Sequence, residues 1–290
     1  MRFLMRVFLV VFLVVPLQAN ADTASGPAMW RLQTGEATIT FLGSFHLIPP
    51  ELAWQDERVV STLEDADSVV FEVDMEVAAD PAVAQRMLAA GSLPAGETLA
   101  QHLSPEEYAE FSAICTKMGV PVSAVAAFKP WFAGMVLSII QMQAMGFDPE
   151  AGVDSVLDKV ARSMGKKMGA LETIDDQDNA LLALDGLSSD EVMDDATKGL
   201  GDPDYILKML NLWFTGDAEG LEAFMLDDLM KYPTVYEALL VNRNSRWIAP
   251  IERMLRDGGR HFVVVGAAHL VGDDSVISML RAKGYEIKRF

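Results

Sequence analysis

The sequence predicts an α/β fold, with a mostly parallel central sheet built from two βαβ-like halves and a helical insertion at about 80–240. Three observations carry this expectation. Short β-branched and apolar runs at 37–42, 68–73 and 260–265 alternate with segments of helical spacing. The first and last of these runs lead into the same motif, Gly43-Ser-Phe-His46-Leu and Gly266-Ala-Ala-His269-Leu. Between them lies a long stretch, rich in Asp, Met and Leu, whose signals are mostly those of helices.

The first 21 residues stand apart as an export signal, leaving 22–290 as one folded unit. Arg2 and Arg6 precede an apolar run at 7–17 broken only by Pro16, and Ala19-Asn20-Ala21 fits the small-x-small cleavage pattern. The run falls short of the roughly 20 residues of a membrane span, so cleavage before Asp22 is expected, with no span left afterwards. The 290 residues carry 23 Lys+Arg and 42 Asp+Glu, a formal net charge of −19. That charge disfavours nucleic acid and anionic membrane surfaces as partners. Hydrophobic residues at 51% exclude a disordered chain. Cys115 is the only cysteine, so no internal disulfide is possible, and such a chain suits an oxidising compartment. A periplasmic or secreted location is expected.

Along the chain, 37–42 reads as a buried strand ending at Gly43, Pro49-Pro50 opens a loop, and 54–64 has helical periodicity. With the strand at 68–73 this makes a βαβ unit, hence a parallel pair. Ser104-Pro105-Glu106-Glu107 is a helix start: an N-cap hydroxyl, proline at the first position and acids in the first turn. Cys115 falls in that helix as a buried small residue. The apolar helix at 132–145 is too short to span a membrane. A loop at 146–152, a helix at 154–164 and a third strand at 167–172 follow, and 175–237 is mostly helical. The strand at 260–265, an amphipathic helix at 273–283 stopped by Gly284, and a last strand at 285–290 complete the chain.

The repeated Gly-x-x-His carries the chemistry. Two copies in one strand-to-loop context, in a chain with four histidines, are far more specific than one. Glycine accepts positive φ, allowing a sharp turn off the strand. Each histidine then projects over the carboxyl end of the sheet, where open α/β sheets bind ligands. If the strands are close, His46 and His269 converge, which suits a metal or an acid/base pair. Glu72 sits in an apolar strand, where a carboxylate needs a partner, and Glu172 ends the third strand. Asp74, Asp148 and Asp154 are weaker candidates in so acidic a chain. Arg243 lies on the apolar helical stripe with Leu239, Trp247 and Ile251, and Asn244 at its border. An inward arginine is either an ion-pair anchor or an oxyanion stabiliser; the sequence does not choose.

These residues resemble the TraB/GumN (TraB/PrgY/GumN) family, which includes the TIKI metalloproteases. The likeness rests on Phe41-Leu-Gly-Ser-Phe-His-Leu, Glu72 with Asp74, Gly152-Val-Asp154, Leu171-Glu172, Arg243-Asn244 with Trp247, and Val265-Gly-Ala-Ala-His-Leu-Val-Gly272. It implies an α/β core related to erythromycin-esterase-like and ChaN-like proteins, of the secreted GumN type. It also implies one site formed by His46, Glu72, Arg243 and His269. In the TIKI branch such a site supports metal-dependent peptide cleavage. The expectation is therefore a periplasmic metal-dependent hydrolase, peptidase-like, acting on a peptide or protein substrate. His46, Glu72 and His269 would hold a divalent cation, Mn²⁺ or Co²⁺ ahead of Zn²⁺. Glu172 would act as general base or as a supporting carboxylate, and Arg243 would stabilise an oxyanion. The alternatives are a non-catalytic ligand-binding protein, as in ChaN-like haem binders, and an accessory factor for polysaccharide export. The chain lacks His-Glu-x-x-His and Gly-x-Ser-x-Gly, which sets aside the commoner hydrolase classes.

Overall fold

The computed structural model describes residues 26–290, so the expected export signal lies outside the described residues. Its six strands are β1 (Met29–Thr34), β2 (Ala37–Ser44), β3 (Ser68–Phe71), β4 (Lys167–Ala170), β5 (Gly259–Gly266) and β6 (Ile287–Arg289). They form one mixed sheet in the order β4-β3-β5-β2-β1-β6. The pairings β2–β5, β5–β3 and β3–β4 are parallel, and β1 is antiparallel to both β2 and β6.

Two features differ from the sequence reading. The hairpin strand β1 was not expected, because Arg31 and Gln33 interrupt its apolar pattern; the clue is the two-residue Gly35-Glu36 turn, with Gly35 at φ +55°. The strands β2 and β3 are joined by the helix Glu57–Asp65 as a βαβ connection, yet they do not pair. β5, nearly 200 residues downstream of β3 in the chain, lies between them.

Both faces of the sheet are covered, which is why β5 reads as an unbroken apolar run. The helices Glu57–Asp65, Val153–Ser163 and Pro203–Phe214 enclose Leu42, Val69, Phe262 and Val264 on one face. The helices Asn242–Asp257 and Val276–Ala282 enclose Phe41, Val70, Val263 and Val265 on the other. Alternate residues of each strand thus feed opposite cores. Further helices between β3 and β5 build a separate core around Leu99, Phe111, Cys115 and Leu137. Cys115 is buried, as expected. Among the described residues no helix is long and apolar enough to cross a membrane.

Candidate functional site

The strand order decides the site. Because β5 lies between β2 and β3, the loop carrying His269 emerges between the strand ends that carry His46 and Glu72. Gly43 pairs with Val265 and Ser44 with Gly266, so the two histidine motifs leave the sheet side by side. Neither motif glycine has positive φ. Their shared role is close approach: a Cβ on Gly43 would lie 3.0 Å from the Ala267 Cα, and one on Gly266 would lie 3.1 Å from Glu72 Oε1.

Glu72 and Glu172 stand just past the carboxyl ends of β3 and β4, and the Glu172 N–H donates to the Glu72 carbonyl at 2.9 Å. Between the carboxylates lies Arg243, at the second position of Asn242–Asp257, directly after a π-helical turn at Glu237–Val241. Pro250 is accommodated inside this helix. Arg243 Nη2 donates to Glu72 Oε2 and to Glu172 Oε1, both at 2.6 Å. Its Nε donates to Glu172 at 3.0 Å, and Nη1 donates to the Leu239 carbonyl at 3.2 Å and to His269 Nε2 at 3.0 Å. All five guanidinium N–H groups therefore have acceptors within the protein. That favours the anchor role for Arg243, since an oxyanion would have to displace one of them. Trp247 completes the cluster, donating to Glu172 at 3.0 Å and packing its ring 4.4 Å from that of His269.

His269 accepts at Nε2 from Arg243, so its proton sits on Nδ1 and is donated to Asn244 Oδ1 at 2.6 Å. This neutral tautomer agrees with burial, which lowers the imidazole to about 3 against the pull of Glu72. Burial alone would raise the Glu72 carboxyl. The fields of His269, Arg243 and His46, together with a 2.6 Å bond from the Gly266 N–H, outweigh it and hold the group down to about 2. Of these neighbours, Arg243 has the permanent charge.

Both shifts make stability pH-dependent in one direction. The folded pKa values are depressed, so the unfolded chain binds more protons as pH falls. His269 should stabilise fully above its ordinary 6.5 and lose that contribution as pH falls through about 3. Glu72 should do the same from 4.5 through about 2. Thermal melts should therefore decline from about pH 6.5 downward, and His269→Gln should remove the upper part of the decline. A wild-type melting profile flat from pH 7 to 4 would contradict this assignment.

His46 has a different setting. Its side chain is 63% exposed, and Nδ1 lies 2.7 Å from the nearly buried Asp154 Oδ2. Asp154 charge raises the imidazole to about 9, against desolvation. The pairing depends on Gly152, where a Cβ would collide with the His46 carbonyl, and on the Val153 N–H, which donates to the Phe45 carbonyl at 2.9 Å. These contacts explain Gly152-Val-Asp154 and raise Asp154 above the weak rank its sequence context implies. Gln177, which sequence reasoning missed, donates to Glu72 Oε2 at 3.2 Å. It sits on a helix of the long insertion with no motif around it. A cleft of about 510 Å³ is lined by His46, Glu72, Asp154, Lys159 and Gln177, with Phe71 and Met75 on an apolar side. His269, Arg243 and Glu172 do not line it. They support Glu72 from outside the cleft wall.

The donor atoms of the expected metal set do not fit a shared cation in this arrangement. Both His269 nitrogens are bonded within the protein, and both Glu72 oxygens accept bonds from Arg243, Gln177 or Gly266. Of these donor atoms, His46 Nε2 alone has no partner among the described residues. Where Glu72 Oε1 and His269 Nε2 approach to 3.7 Å, the neighbouring positive charge is the Arg243 guanidinium. Among the described residues no group of three or more His, Cys, Asp or Glu is placed to hold a metal ion.

The family model described as the TraB/PrgY/gumN family matches residues 28–289. Two bacterial proteins, both titled Uncharacterized protein YbaP, are each 26% identical over 255 residues, covering 88% of this chain and 92% of theirs. One is from Escherichia coli (strain K12) and the other from Shigella flexneri. No solved structure matches the chain.

Proposed function

The chain belongs to the TraB/PrgY/gumN family, and from that premise we propose that it is an exported hydrolase acting on peptide-like carbonyl substrates. The observation that carries the reading is the exposed His46 imidazole, oriented by the nearly buried Asp154 at the edge of the Glu72 cleft. A histidine fixed at Nδ1 by a carboxylate presents Nε2 for proton transfer. In this reading His46 Nε2 takes a proton from water as the water oxygen bonds to the substrate carbonyl carbon. The C–N bond then breaks, and the imidazolium returns the proton to the departing amine. The Gln177 amide donates one N–H to Glu72 and has a second for the developing oxyanion. Glu72, fixed by Arg243, keeps the wall of the cleft anionic and in place. The relation to erythromycin-esterase-like and ChaN-like folds belongs to this proposal.

A divalent cation, as the family resemblance implies, would require Arg243 or Gln177 to release Glu72, so no step is routed through one. The test is a peptide-library screen on purified protein with chelator, without it, and with Mn²⁺, Co²⁺ or Zn²⁺ added back. Cleavage that persists in chelator is the expected result. Cleavage seen only with added metal would replace His46 base catalysis with a metal site, and no cleavage under any condition would remove the hydrolase reading. A second reading has one specific support: His46 Nε2 has no partner among the described residues and lines a cleft with an apolar side, so His46 would be the residue to hold a haem iron there. A haem titration giving a Soret shift that is lost in His46→Gln would favour that binding role.

A further inference from the structure

The helices between β3 and β5 enclose a second pocket, which the proposed hydrolase does not use. One face of the helix Pro130–Ala144 opens onto it, with Trp131, Gly134, Met135, Ser138, Gln141 and Met142 in the three-and-four spacing of a single stripe. Leu184 comes from the segment directly after the helix Ile174–Leu181, and Met209 comes from Pro203–Phe214. The space between them is about 300 Å³. It shares no lining residue with the His46 cleft.

The lining selects by charge. None of the described residues around this pocket is charged, in a chain where 22% are. The polar groups of Gln141, Ser138 and Trp131 are committed to the protein. Gln141 Nε2 donates to the Gly199 and Asp202 carbonyls at 3.1 Å and 3.3 Å, and its Oε1 accepts from the Gly201 N–H at 2.6 Å. Ser138 donates to the Gly134 carbonyl at 3.0 Å, and Trp131 Nε1 donates to Asp185 at 3.0 Å. A charged ligand would lose its water here and gain no counter-charge.

Two observations separate the space from a packing defect. Protein interiors leave few voids larger than a water molecule, and this one exceeds the roughly 150 Å³ at which an apolar cavity takes up benzene. Met135, Met142, Leu184 and Met209 line it and are only half-buried, so apolar surface is accessible inside it. The second observation is Gly134. It lies inside the helix, where glycine is less favourable than alanine, yet a Cβ there would meet no atom within 4 Å. Packing does not demand this glycine; its effect is to keep the pocket wall open at a cost to the helix.

We propose that this pocket binds a small, uncharged, apolar molecule. Flexible thioether side chains at Met135, Met142 and Met209 would close around it, with the Trp131 ring at one end of the helical stripe. The binding follows from burial of apolar surface and does not depend on the hydrolase reading.

The test is a fluorescence titration of the purified full chain with N-phenylnaphthylamine, an uncharged fluorophore that brightens in apolar surroundings, and with its sulfonated analogue. The neutral probe should bind saturably and raise the melting temperature. The sulfonated analogue should bind about tenfold or more weakly, because its charge has no partner in the pocket. Gly134→Leu puts a side chain into the space, and affinity for the neutral probe should fall by about tenfold or more, the scale of one apolar side chain's burial. Gly134→Ala guards against a Leu variant that does not fold. It should raise the melting temperature without probe, through helix propensity, while weakening the neutral probe. A rise in melting temperature with an unchanged probe curve would overturn the site and leave a void. Equal affinity for the two probes, or no saturable signal with the neutral one, would overturn it as well.

Discussion

Arg243→Met should lower the unfolding free energy by about 3–5 kcal/mol, the cost of leaving buried charge without its partner. Two carboxylates lose their cation at once: the Glu72 and Glu172 side chains are 7% and 2% exposed. At roughly 2–4 °C per kcal/mol for a chain of this size, the melting temperature should drop by about 10 °C. Glu72→Gln in the Arg243→Met background should recover part of the loss, because a neutral amide no longer needs the cation; the double-mutant cycle measures the coupling. Arg243→Lys separates the two roles the sequence left open. An ammonium cannot reproduce five planar donors, so an anchor predicts lowered stability, with activity falling as the fold does. A Lys variant that melts like wild type but turns over roughly 10²-fold or more slowly would restore the oxyanion role. Arg243→Met with an unchanged melting temperature would show that the cluster contributes little.

The second large effect concerns turnover with the fold kept. His46→Gln can retain a hydrogen bond to Asp154 but cannot shuttle a proton, and peptide hydrolysis should fall by about 10²–10⁴-fold, the span of general acid–base catalysis. Measured above about pH 9, where the imidazolium–Asp154 attraction is gone, the melting temperature should hardly move, because the His46 side chain is 63% exposed. The pH profile supplies an independent sign. With the imidazole raised to about 9 by Asp154, the base form accumulates, and the rate climbs, as pH rises toward that value. Asp154→Asn removes the charge that favours the imidazolium, so the limb should move down toward the ordinary 6.5. The linked contribution to stability has the opposite course: full below 6.5, and lost as pH rises through about 9. A limb that stays in place in Asp154→Asn would detach the dyad from catalysis.

What the sequence determined by itself is local. The strands at 37–42 and 260–265, the capped helix starting at Ser104, the buried Cys115 and the inward stripe of Arg243, Trp247 and Ile251 follow from side-chain period and capping, which act over a few residues. The repeated Gly-x-x-His was also legible, because equal local context at two strand ends implies equal placement at one sheet edge. Tertiary structure decided which groups meet. Nothing local says that β5 enters between β2 and β3, and that one choice sets His269 beside Glu72 and Arg243. Apart from the Gly152-Val-Asp154 likeness, side-chain pattern does not set Asp154 above the other acids of the chain; that comes from Gly152 packing against the backbone of His46, 106 residues earlier. The turn expected of the motif glycines is not what they supply: their own φ values are ordinary, and a Cβ on Gly43 or Gly266 would instead be crowded by Ala267 or Glu72. Arg243 could be placed on an inward face from its spacing, yet anchor and oxyanion donor differ only in whether its N–H groups already have acceptors. Those acceptors come from β3, β4 and the loop after β5, and only the folded sheet brings them within hydrogen-bond distance.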